Sequence, residues 1–156
     1  MEHAYFAAGC FWGVQQRFSR LPGVHATRAG YMGGHTQDPT YREVCSDTTG
    51  HAEAVEVAYD PTEIDYPTLL SCFFEWHDPT QVNRQGPDIG SQYRSAVFPT
   101  NDLQRLTSEQ KIASLNGSGF YSRPIATRIE PIALFYAAED YHQDYLDKRG
   151  VSHCGL

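Results

Sequence analysis

Cys10 lies between Gly9 and the triplet Phe11-Trp12-Gly13. An apolar run, Tyr5-Phe6-Ala7-Ala8, precedes it, and Phe11, Val14, Phe18 and Leu21 follow at helical spacing. The thiol is therefore expected where a strand ends and a helix begins. Unpaired amides and the positive end of the helix dipole stabilise a thiolate at such a point. The glycines allow a tight turn and leave the sulfur open to approach, while Phe11 and Trp12 add an apolar wall. This pattern suits a nucleophilic cysteine. The alternative is a buried thiol serving as a small hydrophobe.

Two other stretches carry groups able to do chemistry. The segment from Tyr41 to Glu53 contains a phenol, a thiol (Cys45), an imidazole (His51) and a carboxylate. The segment from Gly86 to Ser95 contains Asp88 and a second phenol, Tyr93. Residues 52–59 alternate, with Glu53, Val55, Val57 and Tyr59 on one face and Ala54, Glu56 and Ala58 on the other. The β-branched face is expected to meet the core. Glu53 then either ends a buried row, where desolvation raises a carboxyl pKa, or lies at a solvated strand entrance.

The remaining chain supplies the frame. Strands are expected at 3–8, 24–31, 52–59, 92–98 and 125–130. Helices are expected at 11–21, from an Asp65 cap to Trp76, from Thr100 or Asn101 to Asn116, and at 137–147. Residues 35–50 and 77–90 read as long loops, and loops of that length often carry function. Cys72 falls in the apolar set of the second helix and reads as core filler. The order βαββαβ through residue 98 is that of a two-layer ferredoxin-like sandwich. The expected class is α/β (α+β), a mixed sheet with helices packed on it, in a single domain over 1–156. From about residue 148 the sequence loses periodicity, and a mobile tail is expected.

Bulk properties exclude several function classes. The 156 residues carry a net charge of −7 and no basic cluster, which argues against nucleic acid and anionic membranes as partners. No run of eighteen apolar residues occurs, and Met1-Glu2-His3 does not resemble a signal peptide, so a cytoplasmic location is expected. The four cysteines, at 10, 45, 72 and 154, are too sparse for a disulfide scaffold and include no C-x-x-C pair. A metal enzyme is one rival, but the spacing Cys45-x5-His51-x-Glu53 fits no ordinary zinc pattern. An aromatic cage built from Phe11, Trp12, Tyr41 and Tyr93 is another; it leaves the cysteines unexplained.

Gly9-Cys10-Phe11-Trp12-Gly13, Gly50-His51-Ala52-Glu53 and Asp88-Ile89-Gly90-Ser91-Gln92-Tyr93-Arg94-Ser95 resemble, in order, the signature blocks of peptide methionine sulfoxide reductase A. Tyr41-Arg42-Glu43-Val44-Cys45 and Ala138-Glu139-Asp140-Tyr141-His142 extend the likeness almost end to end. The resemblance implies reduction of methionine-S-sulfoxide, free or in oxidised proteins and peptides. It implies Cys10 as nucleophile, Glu53 as proton donor to the sulfoxide oxygen, and the hydroxyls of Tyr41 and Tyr93 as its hydrogen-bond partners. Phe11 and Trp12 would enclose the substrate methyl group, Asp88 would help fix the substrate, and His142 would either do the same or be a structural histidine on the last helix. A sulfenic acid on Cys10 would then condense with Cys154, and thioredoxin or a similar dithiol would reduce the disulfide, with no metal or organic cofactor. Cys45 would serve packing. A monomer is expected. Members usually carry glycine where this chain has Asp47, so either the turn before Gly50 differs or the aspartate is left-handed.

Overall fold

The computed structural model describes residues 1–150. Cys154 and most of the expected tail lie outside the described residues. The order is β1 (Glu2–Ala8), α1 (Phe11–Ser19), β2 (Val24–Met32), α2 (Tyr41–Cys45), β3 (Ala52–Tyr59), α3 (Tyr66–Glu75), β4 (Arg84–Gln85), β5 (Asp88–Ile89), β6 (Ser95–Val97), α4 (Asp102–Gly117), β7 (Arg128–Ile129), β8 (Tyr136–Ala137) and α5 (Tyr145–Lys148). Short 3₁₀ turns occupy Ser91–Tyr93 and Asp140–His142.

Six strands form one sheet in the order β7-β6-β1-β3-β2-β8. Its four central strands have the ferredoxin-like arrangement, with β3 between β1 and β2 and β6 beyond β1. All pairings are antiparallel except β6 with β7, which makes the sheet mixed. Phe6 faces Val55 and Ala4 faces Val57, so alternation along both strands directs one apolar row to the same layer. Phe11, Val14 and Phe18 of α1 and Leu69, Leu70 and Phe73 of α3 cover that row. Each large side chain so buried contributes roughly 1.5–3 kcal/mol. A smaller cluster, including Met32, Ala54, Ala96 and Phe98, covers part of the opposite face with help from Phe135.

Several local expectations hold. Asp65 caps α3 by accepting from the Thr68 amide at 2.9 Å, and Asn101 caps α4 by accepting from Gln104 at 2.8 Å. Others need correction. The stretch 35–50 contains α2, held by a capping box in which the Thr40 hydroxyl accepts from the Glu43 amide and the Glu43 carboxylate accepts from the Thr40 amide. The stretch 77–90 contains the β4–β5 hairpin. The expected strand at 92–98 shrinks to Ser95–Val97, because Gly90, at φ 139, starts a 3₁₀ turn instead. The strand at 125–130 shrinks to Arg128–Ile129. The helix at 137–147 is replaced by β8, a 3₁₀ turn and a four-residue α5, with left-handed Asp144 breaking the run. Cys72 is half-buried on α3 and is not core filler in the full sense.

Candidate active site

Cys10 occupies the N-cap position of α1, directly after β1, and is half-buried. Gly9 takes φ 90 there, and an added Cβ would stand 2.8 Å from the Gln85 Cβ. Glycine thus lets the β4–β5 hairpin lie against the cysteine turn. Gln85 fixes that hairpin by accepting from the Asp78 amide and donating to the Asp78 carbonyl, both at 2.9 Å. Asp88, on β5, thereby lines the same pocket as Cys10 and Trp12.

Glu53 is 1% exposed, which decides between the two readings of its position. Its Oε1 accepts from the Phe11 amide at 3.1 Å, one residue beyond Cys10. Burial pushes its carboxyl up to about 8; the Phe11 amide opposes the rise and the charge of Asp88 adds to it. Oε2 is buried and has no hydrogen-bond partner among the described residues. The site therefore holds a protonated carboxylic acid at neutral pH with one oxygen uncommitted.

Tyr41 opens α2, and its amide donates to Glu139 Oε2 at 3.0 Å. The other oxygen of Glu139 accepts from the Tyr31 hydroxyl at 2.8 Å, so one carboxylate ties α2 to the sheet. Tyr93 ends its 3₁₀ turn beside Arg94. That guanidinium grips Glu130 through two bonds of 2.7 and 3.0 Å and donates to the Ser91 carbonyl at 2.9 Å. Burial raises the pKa of both phenols, and the Glu53 carboxylate pushes each the same way, so both remain protonated donors. Loss of solvent around the Cys45 thiol raises its pKa, and the Tyr41 and Tyr93 hydroxyls near it oppose the rise. Cys45 is an exposed residue beside the phenols, so the expected packing role is corrected.

Trp12 Nε1 donates to His142 Nδ1 at 2.9 Å. This fixes the proton of a neutral His142 on Nε2, and burial lowers the imidazole pKa. His142 belongs to a 3₁₀ turn instead of the expected helix, and its ring lies 4.3 Å from Tyr41 and 5.3 Å from Phe11, centroid to centroid. The imidazole thus links Trp12, Phe11 and Tyr41. Phe11 is 1% exposed and Trp12 stacks on Tyr145 at 3.8 Å. His51 has both ring nitrogens committed, Nδ1 accepting from Gly34 and Nε2 donating to the Thr36 carbonyl. It holds the loop before β3 and is not available as a metal ligand.

Residues 2–156 match the family model described as peptide methionine sulfoxide reductase. A relative from Geobacter sulfurreducens, peptide methionine sulfoxide reductase MsrA, is 53% identical over 154 residues, covering 99% of this chain and 95% of its own. The chain belongs to the peptide methionine sulfoxide reductase family. The crystal structure of reduced Mxr1 from Saccharomyces cerevisiae superposes with a TM-score of 0.88 at 36% identity, covering 98% of this chain and 88% of that one. Mxr1 in complex with Trx2 superposes at 0.63 with 27% identity, covering 92% and 84%.

In this member of the reductase family the structure gathers Cys10, Glu53, Tyr41, Tyr93, Phe11, Trp12, Asp88 and His142 around one region. Sequence reading missed the residues that hold them: Gln85, Arg94, Glu139 and Tyr31. Glu139 stands within the quoted Ala138–His142 block, and Arg94 within the third signature block, so both were in view. Their partners, Tyr31 and Glu130, are distant in sequence and had no local signal.

Proposed function

We propose that Cys10 attacks the sulfur of methionine-S-sulfoxide while Glu53 delivers a proton to the sulfoxide oxygen. The observation that carries this reading is the buried, protonated Glu53, bonded to the amide next to the nucleophile and with Oε2 uncommitted. A proton on the oxygen makes the sulfur electrophilic, so attack forms a bond from Cys10 Sγ to it; the oxygen then passes to Sγ as the S–O bond and this new Sγ–S bond both break, and the electron pair returns to the methionine sulfur. Methionine leaves, reduced by two electrons, and Cys10 becomes a sulfenic acid. Donors from Tyr41 and Tyr93 stabilise charge building on the oxygen. Phe11 and Trp12 form the wall for the methyl group, Asp88 fixes the polar end of the substrate, and His142 positions Trp12 and Tyr41.

Cys154 then condenses with the sulfenic acid, forming an S–S bond and releasing water. A dithiol of the thioredoxin type reduces that disulfide. The complex of the relative Mxr1 with Trx2 supports this choice of reductant. The reaction so written needs neither metal nor organic cofactor. We assign the activity to a single domain acting as a monomer in the cytoplasm; among the described residues no helix is long and apolar enough to cross a membrane.

A mass-resolved thiol count tests the scheme. Pre-reduced protein is given methionine sulfoxide without reductant. One methionine per chain, loss of two thiols and a Cys10–Cys154 peptide are expected. A persistent sulfenic acid on Cys10 would remove Cys154 from the scheme, and intact thiols with no methionine would overturn the scheme as a whole.

A further inference from the structure

The pocket that contains Cys10 and Asp88 does not stop at the catalytic residues. It continues as a groove of about 1200 Å³ across the outer side of α3 to the C-terminal half of α4 and residues 120–123. Drug-sized ligands fill sites of about 300–1,000 Å³, and a methionine sulfoxide side chain is far smaller than those. That side chain fills only part of the groove.

The far part of the groove is aromatic. Trp76 forms one side, with the Arg17 guanidinium 6.0 Å from its ring and bonded to its carbonyl. Tyr121 and Phe120 form the other, in edge contact at 4.9 Å. Phe120 is 80% exposed, a large apolar ring left in water on the rim. The charged lining is balanced, with Arg17, Lys111 and Arg123 against Glu75, Asp78 and Asp88. No strong field of either sign selects the occupant, so apolar contact does.

We infer that this groove binds an extended segment of the oxidised polypeptide, seating an apolar side chain near the sulfoxide between Trp76 and Phe120-Tyr121. The inference rests on the reading of Cys10 as nucleophile, because continuity with that residue is what directs the groove to substrate. A free amino acid reaches Cys10 without touching the aromatic end. A peptide with an apolar neighbour gains burial there, and only the surplus over its ordering cost appears as affinity.

The test is single-turnover release of methionine from the pre-reduced full chain without any reductant, which separates the substrate step from recycling. The probes are free methionine sulfoxide, the blocked pentapeptide Gly-Gly-Met(O)-Gly-Gly, and its four variants with one glycine replaced by leucine. At least one leucine peptide is expected to react about five- to tenfold more efficiently than the all-glycine peptide. Phe120→Ser and Tyr121→Ser, both in an exposed segment, are expected to abolish that gain while free methionine sulfoxide reacts as before. Equal rates for all five peptides, or a loss shared equally by the free amino acid, would overturn the groove and leave the thiol chemistry standing. An unchanged leucine preference in both variants, with a raised KM for thioredoxin in steady state, would assign the groove to the reductant instead. No methionine from any probe would overturn both readings.

Discussion

The amide of Phe11 donates to Glu53 Oε1 at 3.1 Å, joining the first turn of α1 to the start of β3 beside Cys10. Burial there moves the carboxyl from its ordinary 4.5 to about 8. Turnover is expected to fall as pH rises through about 8, where the acid loses its proton. Glu53→Gln keeps a polar group without a transferable proton, so turnover falls roughly 10²- to 10⁴-fold and the limb near pH 8 disappears. Rapid-quench rates across pH 6–10 check this.

The same shift sets a stability trend. The folded state holds the Glu53 proton up to about pH 8, whereas the unfolded chain releases it near 4.5. The contribution is full below 4.5 and is lost as pH rises through 8. Between pH 4 and pH 9, urea unfolding should shift in favour of Glu53→Gln relative to the native protein by on the order of 3–5 kcal/mol. A constant difference between the two proteins would mean that the carboxyl is not desolvated as described.

Tyr41 and Tyr93 reach the site from different elements, α2 and the Ser91–Tyr93 turn, and both remain protonated donors. Removing one hydroxyl, in Tyr41→Phe or Tyr93→Phe, should lower the single-turnover rate roughly 10²-fold, with folding intact by circular dichroism. The double variant should lose more than either single one. Full activity in the double variant would show that neither hydroxyl meets the oxygen.

Arg94 and Glu130 form a bidentate pair that is nearly closed to solvent, with side chains 7% and 15% exposed. Glu130→Ala leaves a buried guanidinium without its partner and should cost about 3–5 kcal/mol of stability. Because Arg94 also holds the Ser91 carbonyl, the Tyr93 turn loosens with it. Chemical denaturation and single-turnover rates on the same variant measure both effects.

Asp47 takes φ 59, which decides for a left-handed aspartate over a different turn, and its carboxylate accepts from the Ser91 hydroxyl. Asp47→Gly relieves the backbone and loses the bond; Asp47→Ala loses the bond and keeps the strain. Alanine should therefore be less stable than glycine by about 1 kcal/mol, with the native protein close to the glycine variant. Equal melting temperatures for the alanine and glycine variants would contradict this.

His77 donates from Nδ1 to the Phe73 carbonyl at 2.6 Å and accepts at Nε2 from Ser95 at 2.7 Å. Burial lowers its pKa to about 4. The unfolded chain binds the proton first as pH falls, so this contribution is present above 6.5 and is lost toward 4. Thermal unfolding should drop steeply from pH 6.5 to 4, and His77→Gln should flatten that slope.

Much of this molecule was legible residue by residue. The apolar run before Cys10 and the helical spacing after it placed that thiol at a strand–helix junction, and alternation in 52–59 put Glu53 on the apolar face of β3, because each pattern depends only on near neighbours. The signature blocks singled out Glu53, Tyr41, Tyr93, Phe11 and Trp12 as candidates for the site. Five-residue α2 escaped although Thr40 and Glu43 announce its capping box, since one turn and a half is too short to show a period. The helix expected at 137–147 failed for the opposite reason: local spacing suggested a helix, but β8 pairs with β2 and Gln143 bonds to Ala29, contacts that span the chain.

Only tertiary packing decided the electrostatics. Whether Glu53 was solvated or buried, and which nitrogen of His142 holds its proton, depends on α1 closing over the start of β3 and on Trp12 meeting a turn far along the chain. The sequence determined which groups were present and the local backbone that carries them. Folding determined their protonation and their mutual aim, because desolvation and hydrogen bonding are properties of neighbours brought together from distant positions.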